Sequence, residues 1–202
     1  MKNYSIEFIG TFFLVLTIAF TGNPLAIGAI LAVLVYMGGP ISGAHYNPAV
    51  TTSMLIAKKI TAMNALIYIF FQIIGALAAS IVFFGIQGSL FIPQPGVDVG
   101  FTTAFIMEML FTFLLCFVVL NVTSSKHKGN QYFGIAIGAT VGVGALVAGP
   151  LSGAVFNPAV AYGSMLIDIN NINFHANNLV LYTLAPLFGA LVATLLFRAV
   201  SK

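Results

Sequence analysis

Few residues in this chain have chemistry to offer. Two triplets, Asn47-Pro48-Ala49 and Asn157-Pro158-Ala159, lie 110 residues apart. Each encodes a helix start. Asn is a favoured N-cap, because its side-chain oxygen accepts an otherwise unpaired backbone N–H. Pro at the first helical position has no N–H to leave unsatisfied, and its φ is already helical. With that oxygen engaged, the Asn amide keeps N–H donors that can hold a water or hydroxyl oxygen. Two carboxylates, Glu7 and Glu108, interrupt apolar stretches, where an ionisable group is costly and marks a functional position. His45 precedes Asn47 by two residues, but no second His, Cys or carboxylate stands at ligand spacing. It reads as a hydrogen-bonded structural residue or a pore-lining donor. His127 and His175 fall between apolar stretches and read as solvated loop residues. No Gly-rich phosphate loop, Ser-His-Asp set or metal cluster is present, so the chain reads as a non-enzyme with no metal and no cofactor.

The elements that position these residues follow from composition. Of 202 residues, 60% are apolar and 5% are charged, against about 25% charged in an ordinary soluble domain. So few charges cannot cover a soluble surface, and seven scattered basic residues make no nucleic-acid patch. The sole cysteine, Cys116, has no partner for an internal disulfide. Six stretches reach the length and apolarity of a spanning helix, about 4–22, 25–40, 61–84, 100–120, 132–149 and 178–199. Two shorter pieces, 47–57 and 157–167, are too short to span and read as re-entrant half-helices, tolerated at membrane depth only where protein or a cavity surrounds them. With six alternating spans, Lys2, Lys58, Lys59, Lys126, Lys128, Arg198 and Lys202 all fall on one side. The positive-inside rule makes that side, and both termini, cytoplasmic.

The chain also repeats itself. Residues 39–50, Gly-Pro-Ile-Ser-Gly-Ala-His-Tyr-Asn-Pro-Ala-Val, match 149–160, Gly-Pro-Leu-Ser-Gly-Ala-Val-Phe-Asn-Pro-Ala-Val. Ala26-Ile27-Gly28-Ala29 matches Ala136-Ile137-Gly138-Ala139, Glu7 corresponds to Glu108, and Gly75-Ala76-Leu77 corresponds to Gly189-Ala190-Leu191. One domain over 1–202 thus contains two repeats, about 1–90 and 100–202. Each holds an odd number of spans, so the second enters the membrane inverted. Inverted repeats with interrupted helices place a site at the midplane. There the half-helix N-termini face each other, each with about +0.5 of an elementary charge. Two positive ends on one passage disfavour cations and suit neutral, hydrogen-bonding solutes. Gly134, Gly138 and Gly142 recur at helical spacing and read as close-packing positions.

The paired Ser-Gly-Ala-x-x-Asn-Pro-Ala-Val segments, the six spans, the repeat and the Glu near the start of each half resemble the aquaporin (major intrinsic protein) family over essentially the whole chain. The resemblance implies an all-α membrane fold of six spans plus two half-helices, a pore in each subunit, a homotetramer in the cell membrane, and passive passage of water and small uncharged solutes. It implies that Glu7 and Glu108 hold the loop backbones rather than titrate, with His45 beside them. By spacing from the Asn-Pro-Ala motifs, the outer constriction falls on Ile27, Ala145, Ala154 and Val160.

Val160 departs from the family, which usually has Arg there. The resulting filter has no charge, histidine or aromatic ring. Small side chains widen it, while apolar ones remove partners for water, and a narrow apolar constriction closes by dewetting. Phe101 or Phe156 is the candidate to refill the space. Position 161 is Ala, where glycerol facilitators often have an acidic residue. Tyr182 stands where water-selective members tend to have an aromatic, so the substrate indicators disagree. The alternatives are a pore of the same fold carrying mainly glycerol, urea, neutral metalloid hydroxides or gas, and a proton-coupled transporter using Glu7 and Glu108. A membrane scaffold would need longer exposed segments than the loop at about 85–99.

Overall fold

A computed structural model describes residues 1–127, 129–168 and 171–201, with 172–174 described by their backbone. Eight α-helices form among the described residues: α1 Lys2–Thr21, α2 Pro24–Ser42, α3 Pro48–Ile56, α4 Ala62–Gln87, α5 Phe101–Val122, α6 Phe133–Ser152, α7 Pro158–Met165 and α8 Ile172–Val200. A 3₁₀ turn, Ser125–His127, lies between α5 and α6. No strand occurs among the described residues. Six helices are long and apolar enough to cross a membrane, and α3 and α7, of nine and eight residues, are the half-helices. Large apolar side chains point outward: Leu25, Leu66, Ile86 and Ile135 are each at least 62% exposed. A continuous apolar exterior around such helices belongs in lipid, and the chain is a membrane protein.

Local sequence explains the starts. The Asn23 side chain accepts from Leu25 N and Ala26 N, with Pro24 opening α2. The Thr61 hydroxyl accepts from Asn64 N to open α4. One boundary differs from the hydropathy reading. The helix α8 begins at Ile172, ahead of the apolar stretch, because hydropathy marks the bilayer and not the helix. His175 therefore sits in the first turns of α8, 3% exposed, with Nε2 2.9 Å from Asp168 Oδ2. It is not a solvated loop residue: the polar turn folds back onto the segment leaving α7. The hydrogen bond from His175, with a second from Asn171, holds the Asp168 carboxyl below its ordinary range. His127 is exposed, as expected of a loop residue.

Within the repeats, α1 packs on α4 and α5 packs on α8; across them, α2 packs on α6. Small residues permit each approach. A methyl group on Gly75 would lie 2.5 Å from Phe8 O, and on Gly189 2.4 Å from Met109 O. Between the repeats, a methyl group on Gly138 would lie 2.3 Å from Gly28 O. Basic residues gather at one end of the bundle. Lys59 Nζ donates to Thr123 Oγ1 beyond α5 and sits 5.5 Å from the Phe197 ring centroid. Arg198 donates to Ile56 O, at the last residue of α3.

Candidate functional site

The site is built twice by the same local rules. Asn47 caps α3 by accepting from Ala49 N at 2.8 Å, and Asn157 caps α7 by accepting from Ala159 N at 3.0 Å. The loops before them are folded tightly, with positive φ at Ala44 and Tyr46 and at Ala154 and Phe156. Such backbone persists in non-glycine residues only when surrounding groups fix it. Here a buried carboxylate does so in each repeat. Glu7 Oε1 accepts from Ser42 Oγ (2.6 Å) and His45 N (3.1 Å), and Oε2 from Tyr46 N (2.7 Å). Glu108 Oε1 accepts from Ser152 Oγ (2.7 Å) and Val155 N (2.9 Å), and Oε2 from Phe156 N (2.6 Å). A tyrosine completes each tether: Tyr68 OH donates to Ser42 O and Tyr182 OH to Ser152 O, both at 2.7 Å.

The half-helices meet N-terminus to N-terminus, and the asparagines cross-link them. Asn47 Nδ2 donates to Phe156 O at 2.8 Å, and Asn157 Nδ2 donates to Tyr46 O at 3.0 Å. Read from sequence, the N–H donors of each amide are open to a passing oxygen; the structure takes one of them. One N–H per asparagine is committed to the opposite loop, and one remains for a ligand.

Asn47 and Asn157 border a cavity of about 150 Å³. Ile27 from α2, Ala145 from α6, Ala154 from the second loop and Val160 from α7 border it too. Among the described residues no Asp, Glu, Lys or Arg does. At the end nearer Lys59 the cavity shares Val35, Ala44, His45, Val119 and Ile137 with a second cavity of about 710 Å³, which opens among Lys59, Tyr68 and Thr123. His45 thus stands at the junction, its Nδ1 3.2 Å from Thr51 Oγ1 and its ring edge-on to Tyr68. Neither Glu7 nor Glu108 borders either cavity.

One sequence expectation is overturned, and packing refines two others. Phe101 does not border the cavity: it lies on α5, half-exposed, beside Phe105. Phe156 borders the cavity, but its ring is buried against Phe111, 5.6 Å between centroids. The aromatic group that spacing did not find is Phe91, which borders the cavity together with Pro93. Tyr182 is fully buried and spends its hydroxyl on Ser152 O, so it reports loop tethering and not pore width. Gln72 was also missed. Its Nε2 lies 2.8 Å from Glu7 Oε2 and 2.9 Å from Thr51 Oγ1, joining the first loop's carboxylate to α3. A polar amide inside an apolar span was the signal available.

The chain matches the family model described as Major intrinsic protein over residues 1–197. It is 38% identical to glycerol uptake facilitator protein-like 6 of Lactiplantibacillus plantarum, over 100% of this chain and 99% of the relative. It is 32% identical to aquaporin AqpM of Methanothermobacter thermautotrophicus, over 98% of this chain and 96% of the relative. Its fold superposes on the X-ray structure of the aquaglyceroporin from Plasmodium falciparum with TM-score 0.84 and 21% identity, covering 99% of this chain and 96% of that one. With six apolar helices and two facing half-helices in place, the chain belongs to the major intrinsic protein family and is a passive membrane channel for water and small neutral solutes, not an enzyme.

Proposed function

We propose that both repeats, as one unit over 1–202, form a pore through the two abutting cavities, with selection divided between its centre and its outer end. The observation that carries this is the crossed pair of hydrogen bonds from Asn47 to Phe156 O and from Asn157 to Tyr46 O. They hold two helix N-termini against one passage, each with a spare amide N–H. A passing oxygen accepts from both amides. A water so held donates to neither, which interrupts proton relay, and the paired positive ends repel cations. Pro48, Ala49, Pro158 and Ala159 serve as the rigid, donor-poor first turns behind those asparagines.

Ile27, Ala145, Ala154 and Val160 form the outer constriction in this reading. It offers steric selection without a charge. Glu7, Glu108 and His45 hold the loops. The coupled-transporter alternative has no geometric support, since both carboxylates lie off the cavities and their oxygens are occupied by donors. Relatives named for glycerol uptake and as aquaporins support water and glycerol as permeants. The uncharged constriction favours a second reading, in which glycerol, urea, neutral metalloid hydroxides or gas are the main cargo. Family membership supports a homotetramer in the cell membrane. The gathering of Lys59 and Arg198 at one end supports cytoplasmic termini.

Stopped-flow light scattering on proteoliposomes tests the reading. Shrinkage against an impermeant osmolyte well above empty liposomes, followed by re-swelling in glycerol, is the expected result. Shrinkage at the empty-liposome rate with folded protein present overturns the water arm and moves the search to the second reading's solutes.

A further inference from the structure

Between α4 and α5 the chain has no helix, yet residues 91–96 are held firmly over the outer end of the passage. Gly96 N donates to Leu151 O at 3.1 Å. A methyl group on Gly96 would lie 2.1 Å from Pro150 O, and one on Gly153 would lie 2.7 Å from Gln94 O. The segment therefore docks backbone-to-backbone on the end of α6 and on the loop carrying Ala154, and only glycines allow that approach. Pro93 is buried there. Phe91, partly buried, packs against the apolar cluster that contains Val155, Ala159 and Val160, and borders the same cavity as Ile27, Ala145 and Ala154.

The constriction expected from spacing is made of one isoleucine, two alanines and a valine, so its own side chains leave the wall incomplete. Of the two phenylalanines bordering the cavity, Phe156 is committed to Phe111 and to the tight second loop. We infer that Phe91 is a size-determining residue of this pore: a side chain from outside both repeat motifs supplies the bulk that the filter positions lack. The inference rests on the channel reading above. It makes the cut-off for neutral solutes depend on residue 91, while water, the smallest permeant, depends on it least. The phenyl ring carries no N–H or O–H donor, so what it adds to this end of the passage is bulk.

The test is stopped-flow permeability of proteoliposomes to water, glycerol and the four-carbon polyol erythritol, for wild type and for Phe91→Ala, Phe91→Leu and Phe91→Tyr. The expected result for Phe91→Ala is a rise in the erythritol-to-water ratio of at least about tenfold, since one methylene in an apolar pocket already gives that much and the substitution removes a whole ring. Phe91→Leu should give a smaller rise, and Phe91→Tyr should keep the wild-type ratio. If Phe91→Ala does not fold, the leucine variant decides by the same ratio. An unchanged ratio in folded Phe91→Ala or Phe91→Leu, with wild type conducting, overturns the assignment of Phe91 and leaves the channel reading intact. Wild type conducting none of the three above empty liposomes overturns the channel reading, and this inference with it.

Discussion

The two repeats build one loop with two different surroundings. The shared parts are a buried glutamate, a serine, two backbone N–H groups and a tyrosine, with bond lengths that agree within 0.2 Å between Glu7 and Glu108 for each matching contact. Around them the halves diverge. Where the first has His45, Thr51 and Gln72, the second has Val155, Ala161 and Pro186. The first loop therefore sits in a polar network running from Glu7 through Gln72 and Thr51 to His45. The second sits in an apolar cluster with Ala159, Val160 and Ala161. The comparison separates what the fold requires from what conduction adjusts. A positive-φ loop that presents an Asn-capped half-helix needs the carboxylate and the tyrosine. The remaining positions are free to differ: of the three polar residues in the first half only His45 borders the path, and Val155 borders it in the second.

The sharpest way to break the comparison is to change each carboxylate to its amide. In Glu108→Gln, an NH₂ group faces backbone N–H donors, and proline at 186 offers no side chain that can readjust. A loss of roughly 3 kcal/mol is expected from the unsatisfied buried donors. In Glu7→Gln, the Gln72 amide can turn its oxygen toward the new NH₂, so the loss should be about 1–2 kcal/mol. Thermal midpoints in detergent check the order, and equal losses would remove the asymmetry.

Gln72→Leu comes next. It severs the link to Glu7 and Thr51 and should cost about 1–2 kcal/mol. It should leave the glycerol-to-water ratio unchanged, because Gln72 borders neither cavity. A changed ratio would place the network in the conduction path.

Val160→Arg acts on the second half alone. It should lower glycerol permeability about tenfold, equivalent to roughly 1.4 kcal/mol, while sparing water. Unchanged glycerol flux in proteoliposomes would show that residue 160 does not set the constriction.

The smallest effect concerns Asp168. Its carboxyl titrates below the ordinary range because His175 hydrogen-bonds the charged form. A depressed native value stabilises the fold above the unfolded value, near 4, and that stabilisation disappears as pH falls through the depressed one. The difference in thermal midpoint between wild type and Asp168→Asn should therefore be present at neutral pH and shrink on acidification below about pH 4. A constant difference would mean that charge plays no part in the contact.

Much of this architecture was legible because the bilayer and the helix ends impose strict local rules. Apolar length marks the spans, and Asn followed by Pro marks the half-helix starts. The offset of 110 between the triplets identifies the repeat. Three things were hidden for physical reasons. The polar start of α8 lies beyond the apolar stretch, so His175 looked like a loop residue. Tyr182 carries no sign of which way it faces, although its repeat partner Tyr68 was the clue that it tethers a loop. Phe91 lies in a segment without periodicity, and its approach to the cavity depends on Gly96 and Gly153 docking across the chain.

The most direct test of the account is to measure water and proton flux in the same proteoliposomes, with an osmotic step in one aliquot and a pH step in the other. Ion exclusion in the proposed pore comes from the paired Asn47 and Asn157 helix ends and needs no charge at position 160. Water flux well above empty liposomes and proton flux equal to theirs are expected. A proton flux that rises with the amount of reconstituted protein would contradict this assignment.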